Sequence, residues 1–588
     1  MLEYLIDYEL RNFLVSSVCV TILLLQLVLP ASTCSPTKEL FIKVYIRGDG
    51  SIETEPQAQV PLLRNGNTYI LTGDLSGSLI VERDNLVLDG RGYRLYKPES
   101  VTEDYNGIEV RGRVNVTVKN FVIEGYAYGI YSERSSRVFL VENVVANCYR
   151  GISILKSSNH RIERSTLRNC REAIRFGSSG DSAVLGNIIR ENKYGLFISL
   201  SHTSLVEGNV VQNNSGGIYI SGTGIRVIEN VIRDNSEFGV ELSNSINTTI
   251  LGNVFVNDGL RVLESYGTVA SGNTVNGKPL RFYEKVSNLT ISGEAGQVVL
   301  VNCTKVVIEN LTLGNVETAI WLWATDNAII RGNVIEANSW YGISLLHCFN
   351  CSLLGNVIRG NKVGGVELSH SHGNTIENNT VKNNGKKGGL TLSFSTDTTI
   401  KRNIIENNEV GVSFDTSDGN IVSSNTFQRN NVSLFFYNST RNLIVGNKIQ
   451  FNSVSVTVYD SSRNTFYFND FIDNRNQVLA INSSNAWDNG SKGNFWSDHD
   501  CTDENGDGVC ENPYIINQEN VDRFPLGKSL QPESGPGSDS TPPPREEQPW
   551  GALNGILTLA PLLLVALLII ALILLAALLL RRKGNASR

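Results

Sequence analysis

Apolar and polar positions alternate in short bursts along this chain, and the bursts return about every 22 residues. Each return carries the phrase Asn–apolar–apolar–x–x–Asn. Its first asparagine falls at Asn187, Asn209, Asn230, Asn333, Asn356, Asn379, Asn403, Asn425, Asn447 and Asn469. The second follows at Asn192, Asn214, Asn235, Asn338, Asn361, Asn384, Asn408, Asn430, Asn452 and Asn474. The position two after the first asparagine stays apolar (Ile189, Val211, Ile232, Ile335), whereas the one before it varies from Ile188 to Lys448 to Asp470. That alternation predicts a short strand. Segments such as Gly217-Ile218-Tyr219-Ile220 and Gly342-Ile343-Ser344-Leu345 predict a second strand, and Thr249–Leu251 and Ala328–Ile330 a third. Three strands and their turns fill the period, leaving no room for a helix, and the Leu-x-x-Leu-x-Leu frame of leucine-rich repeats is absent.

The expected fold is therefore all-β, a parallel β-helix solenoid whose equivalent positions stack about 4.8 Å apart. Asparagine tolerates the left-handed turn conformation and can bond to its copies above and below, so the two asparagine columns read as structural ladders. Ser165, Asn143 and Asn120 extend them upstream. Asn253 and Asn273 continue them, Asp258 is a variant, and Lys278–Ser287 interrupts the rhythm before Asn310. Roughly sixteen or seventeen coils result.

The ends differ from the repeat. Phe13–Pro30 is an apolar run followed by Ala31-Ser32-Thr33, so residues 1–33 read as a signal peptide or N-terminal anchor. Residues 34–78 read as an N-terminal cap region, 79–484 as the β-helix and 485–527 as a C-terminal cap. Residues 528–550, with Pro542-Pro543-Pro544, read as a stalk. A single transmembrane helix is expected over 551–580; Arg581, Arg582 and Lys583 place the tail 581–588 in the cytoplasm and the solenoid outside the cell membrane. The sequons at Asn115, Asn247, Asn288 and Asn438 agree with an external face. The 51 Lys+Arg against 58 Asp+Glu, a net charge of −7, form no basic stripe, so nucleic acid is not expected as a partner.

Nine cysteines in an exported chain raise the question of pairing. Cys148 and Cys170 occupy equivalent phrases and should stack, as a disulfide or as a thiol column. Cys501 and Cys510 are expected to pair around Asp503-Glu-Asn505-Gly-Asp507-Gly508-Val509, a calcium-type loop in which Asp503, Asn505, Asp507, Val509 and Glu511 would offer hard oxygen ligands. Tyr514 stands where an EF-hand has its bidentate glutamate, so the loop is expected to stabilise an end of the solenoid. His347, Cys348, Cys351, His370 and His372 lie in one turn region of adjacent coils and suit copper or zinc; the alternative is an exposed turn with a disulfide and incidental histidines. No paired acids for glycoside hydrolysis can be named, and catalytic residues stay unassigned. Asp397, Asp415 and Asp418, near Glu367 and Lys401, are acids on turns. Trp321, Trp323, Trp340 and Tyr341 can form an aromatic platform for sugar rings or pack in the core.

These features together resemble the NosD-like family of right-handed parallel β-helix proteins, within the wider group of β-helical carbohydrate-binding proteins and sugar hydrolases. The likeness covers about residues 40–527. It is carried by the lead-in Tyr69–Gly90, the restart Gln297–Cys303, and the end piece Gly493-Asn-Phe-Trp-Ser-Asp498 with Asn512-Pro-Tyr514. The chain looks most like membrane-tethered archaeal surface versions. The family name implies periplasmic copper handling, while the anchor, stalk and acidic loop depart from that setting. The expected function is non-catalytic binding of glycans or cell-envelope partners. A carbohydrate-active hydrolase or lyase, and a copper- or zinc-binding protein, are the alternatives.

Overall fold

The computed structural model describes residues 40–529. The expected signal segment, most of the stalk, the apolar span 551–580 and the tail lie outside the described residues. Among the described residues no helix is long and apolar enough to cross a membrane.

The chain is an all-β parallel solenoid of right-handed type, with about 20 coils of about 22 residues. The coils outnumber the sequence count because those at the start, with the face-one strands Ile42–Ile46, Leu75–Val81 and Asn106–Arg111, stack in parallel without carrying the asparagine phrase. Each coil lays down one strand on each of three faces. Face one holds the longer strands, such as Tyr128–Glu133, Arg150–Leu155 and Glu172–Gly177. Face two holds short strands such as Arg161–Glu163, and face three such strands as Thr166–Arg168. Pairing is parallel and in register, so Ile152, Ile174, Leu196, Ile218 and Val240 form one inward column. All five are fully buried, and each contributes roughly 1.5–3 kcal/mol through burial.

The ladder asparagines are buried inside the corners. Asn356 donates its backbone N–H (2.8 Å) and its side-chain amide (2.9 Å) to Asn379 Oδ1, and Asn379 repeats both bonds to Asn403. The left-handed conformation expected of these asparagines falls instead on the residue before each: Gly332, Gly355, Asn378, Arg402, Ser424 and Phe468 have positive φ. The corner needs a tight reversal first and a side-chain amide pointing inward second, and the two tasks go to neighbouring residues.

The rhythm break at Lys278–Ser287 is a joint between two blocks of coils. Lys278–Glu284 is itself a strand, parallel to Gln297–Val301 and joined in a tight hairpin to Thr274–Val275. Among the described residues, no strand pairing continues Leu260–Leu263 onward. Side chains close the free edges instead, since unpaired backbone groups are costly when buried. On face one the Gln297 amide accepts from Leu260 N (2.9 Å) and donates to Leu260 O (3.2 Å), while Trp321 Nε1 donates to Val262 O (2.9 Å). On face two the Glu284 carboxylate accepts the N–H groups of Gly267 and Thr268, both at 2.7 Å. On face three Asn276 accepts from Asn257 N (2.9 Å) and donates to Asn315 O (2.6 Å).

At the start, Ile42–Ile46 pairs antiparallel with Ile52–Glu55 and parallel with the first coil. At the finish, Asn494 and Asn485 hand the ladders to Asp522 and Asn520, and stacked rings of Phe471, Trp496 and Tyr514, 4.1–4.2 Å apart, cover the last coil.

Candidate functional site

The residues singled out for copper or zinc do not converge. Cys348 and Cys351 are fully buried, with Sγ directed at the carbonyls of Leu346 (3.3 Å) and Thr325 (3.2 Å). Both are free thiols, so the alternative disulfide is absent too. His347 and His370 are exposed and stack at 5.1 Å in a ladder with Phe394. His372 belongs to a separate column against Phe349 at 5.5 Å, its Nδ1 bonded to Thr396. The turn sends alternate residues inward and outward, which separates the thiols from the imidazoles.

Cys501 and Cys510 form the expected disulfide, with Cα atoms 5.3 Å apart. The loop between them is exposed, and its side-chain oxygens face their own amides. Asp503 accepts from Gly506 N (2.8 Å) and Gly508 N (3.1 Å), Asn505 from Asp507 N (2.8 Å), and Asp507 from Val509 N (2.9 Å). Glu511 accepts from Glu504 N (3.1 Å) and Asn505 N (3.3 Å). Among the described residues, no group of three or more His, Cys, Asp or Glu side chains is placed to hold a metal ion. The calcium expectation and the copper or zinc expectation both lack a gathered ligand set.

Cys148 and Cys170 are buried free thiols in one column. The acids on turns also stay apart: Asp418 pairs with Arg441 at 3.2 Å, Asp397 accepts from Thr396 at 2.8 Å, and Lys401 pairs with Glu377 at 3.2 Å. Trp321, Trp323 and Tyr341 are buried and pack rather than form an open platform, whereas Trp340 is half-buried.

The outer side of face one gathers what the sequence did not reveal as a set. Registered pairing lines up Tyr128, Arg150, Glu172, Tyr194, Gly216 and Phe238 in one outward column. A second column runs Tyr131, Ser153, Arg175, Phe197, Tyr219, Glu241 and Arg261. Phe197 and Tyr219 stack at 4.5 Å, and the Arg175 guanidinium lies 4.9 Å over Phe197. Arg150 reaches Glu172 (2.8 Å) and the Tyr128 hydroxyl (2.9 Å). A Cβ at Gly216 would stand 2.5 Å from the Phe238 ring, so glycine there lets the flanking rings lie flat on the strands. The columns end at Arg261, which pairs with Glu241 (2.9 Å) and Glu317 (2.7 Å) and lies 5.4 Å from the Trp321 ring and 5.6 Å from Trp340. Burial pushes the Glu317 carboxyl up, and the Arg261 charge opposes that push. Arg261 and Glu317 come from opposite sides of the joint. Their only trace in the sequence is that they sit where the period fails.

One further polar pair lies in the core. Ser132 Oγ is 2.8 Å from His160 Nε2, and burial pushes His160 down to about 4. His160 is 1% exposed, so the pair is a neutral core hydrogen bond out of a substrate's reach.

The family model described as "Periplasmic copper-binding protein (NosD)" matches residues 84–264, 267–433 and 365–501. The chain belongs to the NosD family. No curated protein matches it. Among solved structures, the A-module of the Azotobacter vinelandii mannuronan C-5 epimerase AlgE4 is similar at 12% identity, covering 70% of this chain and 88% of that one, with a TM-score of 0.21. PfbA, a surface adhesin of Streptococcus pneumoniae, is similar at 11% identity over 66% of this chain and 84% of that one, TM-score 0.19. The likeness to XylC with xylose, at 10% identity and TM-score 0.23, covers 33% of this chain and only 50% of that one. The copper that the family description names does not fit the described donors of this NosD chain as they stand, because among the described residues the free thiols are buried in the core and the exposed imidazoles lack a third ligand.

Proposed function

We propose that this NosD-family solenoid is displayed outside the cell and binds glycan chains along the outer side of face one, without turning them over. The observation that carries this reading is the pair of outward columns from Tyr128 to Arg261, where aromatic rings alternate with Arg–Glu pairs over successive coils. Ring faces cover the apolar side of a sugar, and fixed charged groups beside them satisfy its hydroxyls; this mix of apolar body and few polar anchors is what ligand surfaces use. A periodic surface suits a periodic ligand. The apolar span 551–580 and the basic residues after it support tethering to a membrane, with the N-terminal segment as the export signal. The reading uses neither calcium nor copper, since neither ligand set is gathered.

Calorimetric titration of the full-length chain with a panel of neutral and acidic polysaccharides tests it. At least one should bind, and the Phe197→Ala and Tyr219→Ala variants should each weaken that binding by about tenfold, ~1.4 kcal/mol. Absence of binding across the panel, or binding indifferent to both substitutions, rejects the reading.

A further inference from the structure

Face three lacks one strand at the joint. Residues 292–296, Ser-Gly-Glu-Ala-Gly, carry neither the asparagine phrase nor alternating apolar positions. They pass face three without forming a strand. Face three therefore runs from Thr274–Val275 to Thr312–Gly314 with one rung missing, and a missing rung leaves about 4.8 Å of sheet unfilled. The bypass hugs the upstream side, since a Cβ on Gly296 would stand 2.2 Å from Val275 O. Between Val275 and Leu313 a cleft of about 310 Å³ remains.

A free sheet edge borders this cleft. Thr312–Gly314 is the first strand of its sheet and pairs only downstream, with Val334–Glu336. In the next coils the first residue of this strand donates its backbone N–H to the coil before: Val334 to Leu311 O and Val357 to Asn333 O, both at 2.8 Å. Thr312 N–H has no such acceptor among the described residues. Asn276 bridges part of the gap, reaching Asn315 O at 2.6 Å and Gly314 O only at 3.5 Å. An unpaired edge of this kind is a template for an added strand.

The lining narrows which strand would fit. Val275, Ala295 and Leu313 form a buried apolar floor, and Thr312 and Lys278 stand exposed at the rim. Glu336 also lines the cleft, but Arg359 holds its carboxylate at 2.6 Å. The Lys278 ammonium makes no ion pair among the described residues, so the rim carries one unanswered positive charge.

We propose that this cleft takes an extended peptide segment of a partner protein, which adds as the missing strand of face three. Its backbone pairs with Thr312 and Gly314, small side chains on one side meet the apolar floor, and a carboxylate on the other side answers Lys278. A peptide backbone matches the spacing of the donors and acceptors along a strand edge, which the hydroxyls of a sugar ring do not. The site lies on a different face from the glycan-binding columns and does not depend on them.

Labelled heptapeptides Ser-Val-X-Glu-X-Val-Ser, with X as Gly, Ala, Val or Ser, provide the test by fluorescence anisotropy on the full-length chain. At least one should bind, and its counterpart with Lys in place of Glu should bind several-fold more weakly. Lys278→Glu, at an exposed position, should weaken the acidic peptide to a similar degree. Thr312→Pro removes an N–H that no ladder bond uses, and should weaken it about tenfold. Hydrogen exchange at the Thr312 and Gly314 amides should slow when the peptide is bound. The proposal is overturned if no peptide of the set binds. It is equally overturned if binding ignores Lys278→Glu and leaves both amides exchanging as before. Slowing of those amides by cellohexaose but by none of the peptides would give the cleft to a sugar and also overturn it. Lys278→Glu decides the matter if Thr312→Pro folds poorly.

Discussion

At the scale of the residue, the stability of this chain is written in side-chain amides. Each ladder asparagine is donor to one coil and acceptor from another, and a carboxylate cannot do both. Asp258 shows the consequence. It takes the place of a second-column asparagine and accepts from Asn235 N (3.1 Å) and Asn235 Nδ2 (2.8 Å), but its Oδ1 is buried without a hydrogen bond among the described residues. Burial pushes its carboxyl up to about 8. The unfolded carboxyl releases its proton near pH ~3.9. Between that value and about 8 the folded state holds more protons than the unfolded one, so stability falls as pH rises through this window and the loss is complete above it. Asp258→Asn restores the ladder group. It should stabilise the protein by a few kcal/mol at pH ~8 and little at pH ~4, as urea midpoints measured at both pH values will show; equal gains at the two would argue against a titrating Asp258.

Single elements matter most at the joint, where the backbone ladder stops and side chains take over. Arg261 is the sole cation facing the buried Glu317 carboxylate across it among the described ion pairs. Arg261→Ala leaves that acid buried and uncompensated, and should cost roughly 3–5 kcal/mol in denaturant unfolding. Replacing both partners, as Arg261→Leu with Glu317→Leu, should recover much of the loss, because two apolar groups need neither solvation nor each other. A double variant as unstable as the single one would mean that Arg261 acts through its packing on Trp321 and Trp340 instead.

For the whole molecule, coils touch mainly their neighbours, so cooperativity passes along the stack only as well as each interface transmits it. The interface at the joint is made of Gln297, Glu284 and Asn276 side chains and one short hairpin in place of a continuous parallel ladder, and it should be the weakest link. All five described tryptophans, Trp321, Trp323, Trp340, Trp487 and Trp496, lie after it. Tryptophan fluorescence should therefore report the second block, and far-ultraviolet circular dichroism both. The two guanidinium transitions are expected to separate in Gln297→Ala, with the fluorescence midpoint the less affected if the first block unfolds first. Coincident transitions in that variant would show that the joint couples the blocks as tightly as a ladder does.

The sequence by itself determined the coil. A period of about 22 residues with fixed apolar and asparagine positions admits three strands and three corners, and stacking such units is the one way to bury their apolar sides. It also showed the Cys501–Cys510 bond, because those cysteines are close along the chain. Only the tertiary structure decided which side of a turn each residue occupies. That is why His347 and Cys348, adjacent in sequence, part company, and why the left-handed residue proved to be the one before each asparagine. The same limit hid the surface of face one: Arg261 and Glu317, 56 residues apart, meet only because the solenoid breaks its own rhythm there, and no pattern built on the period can describe the place where the period fails.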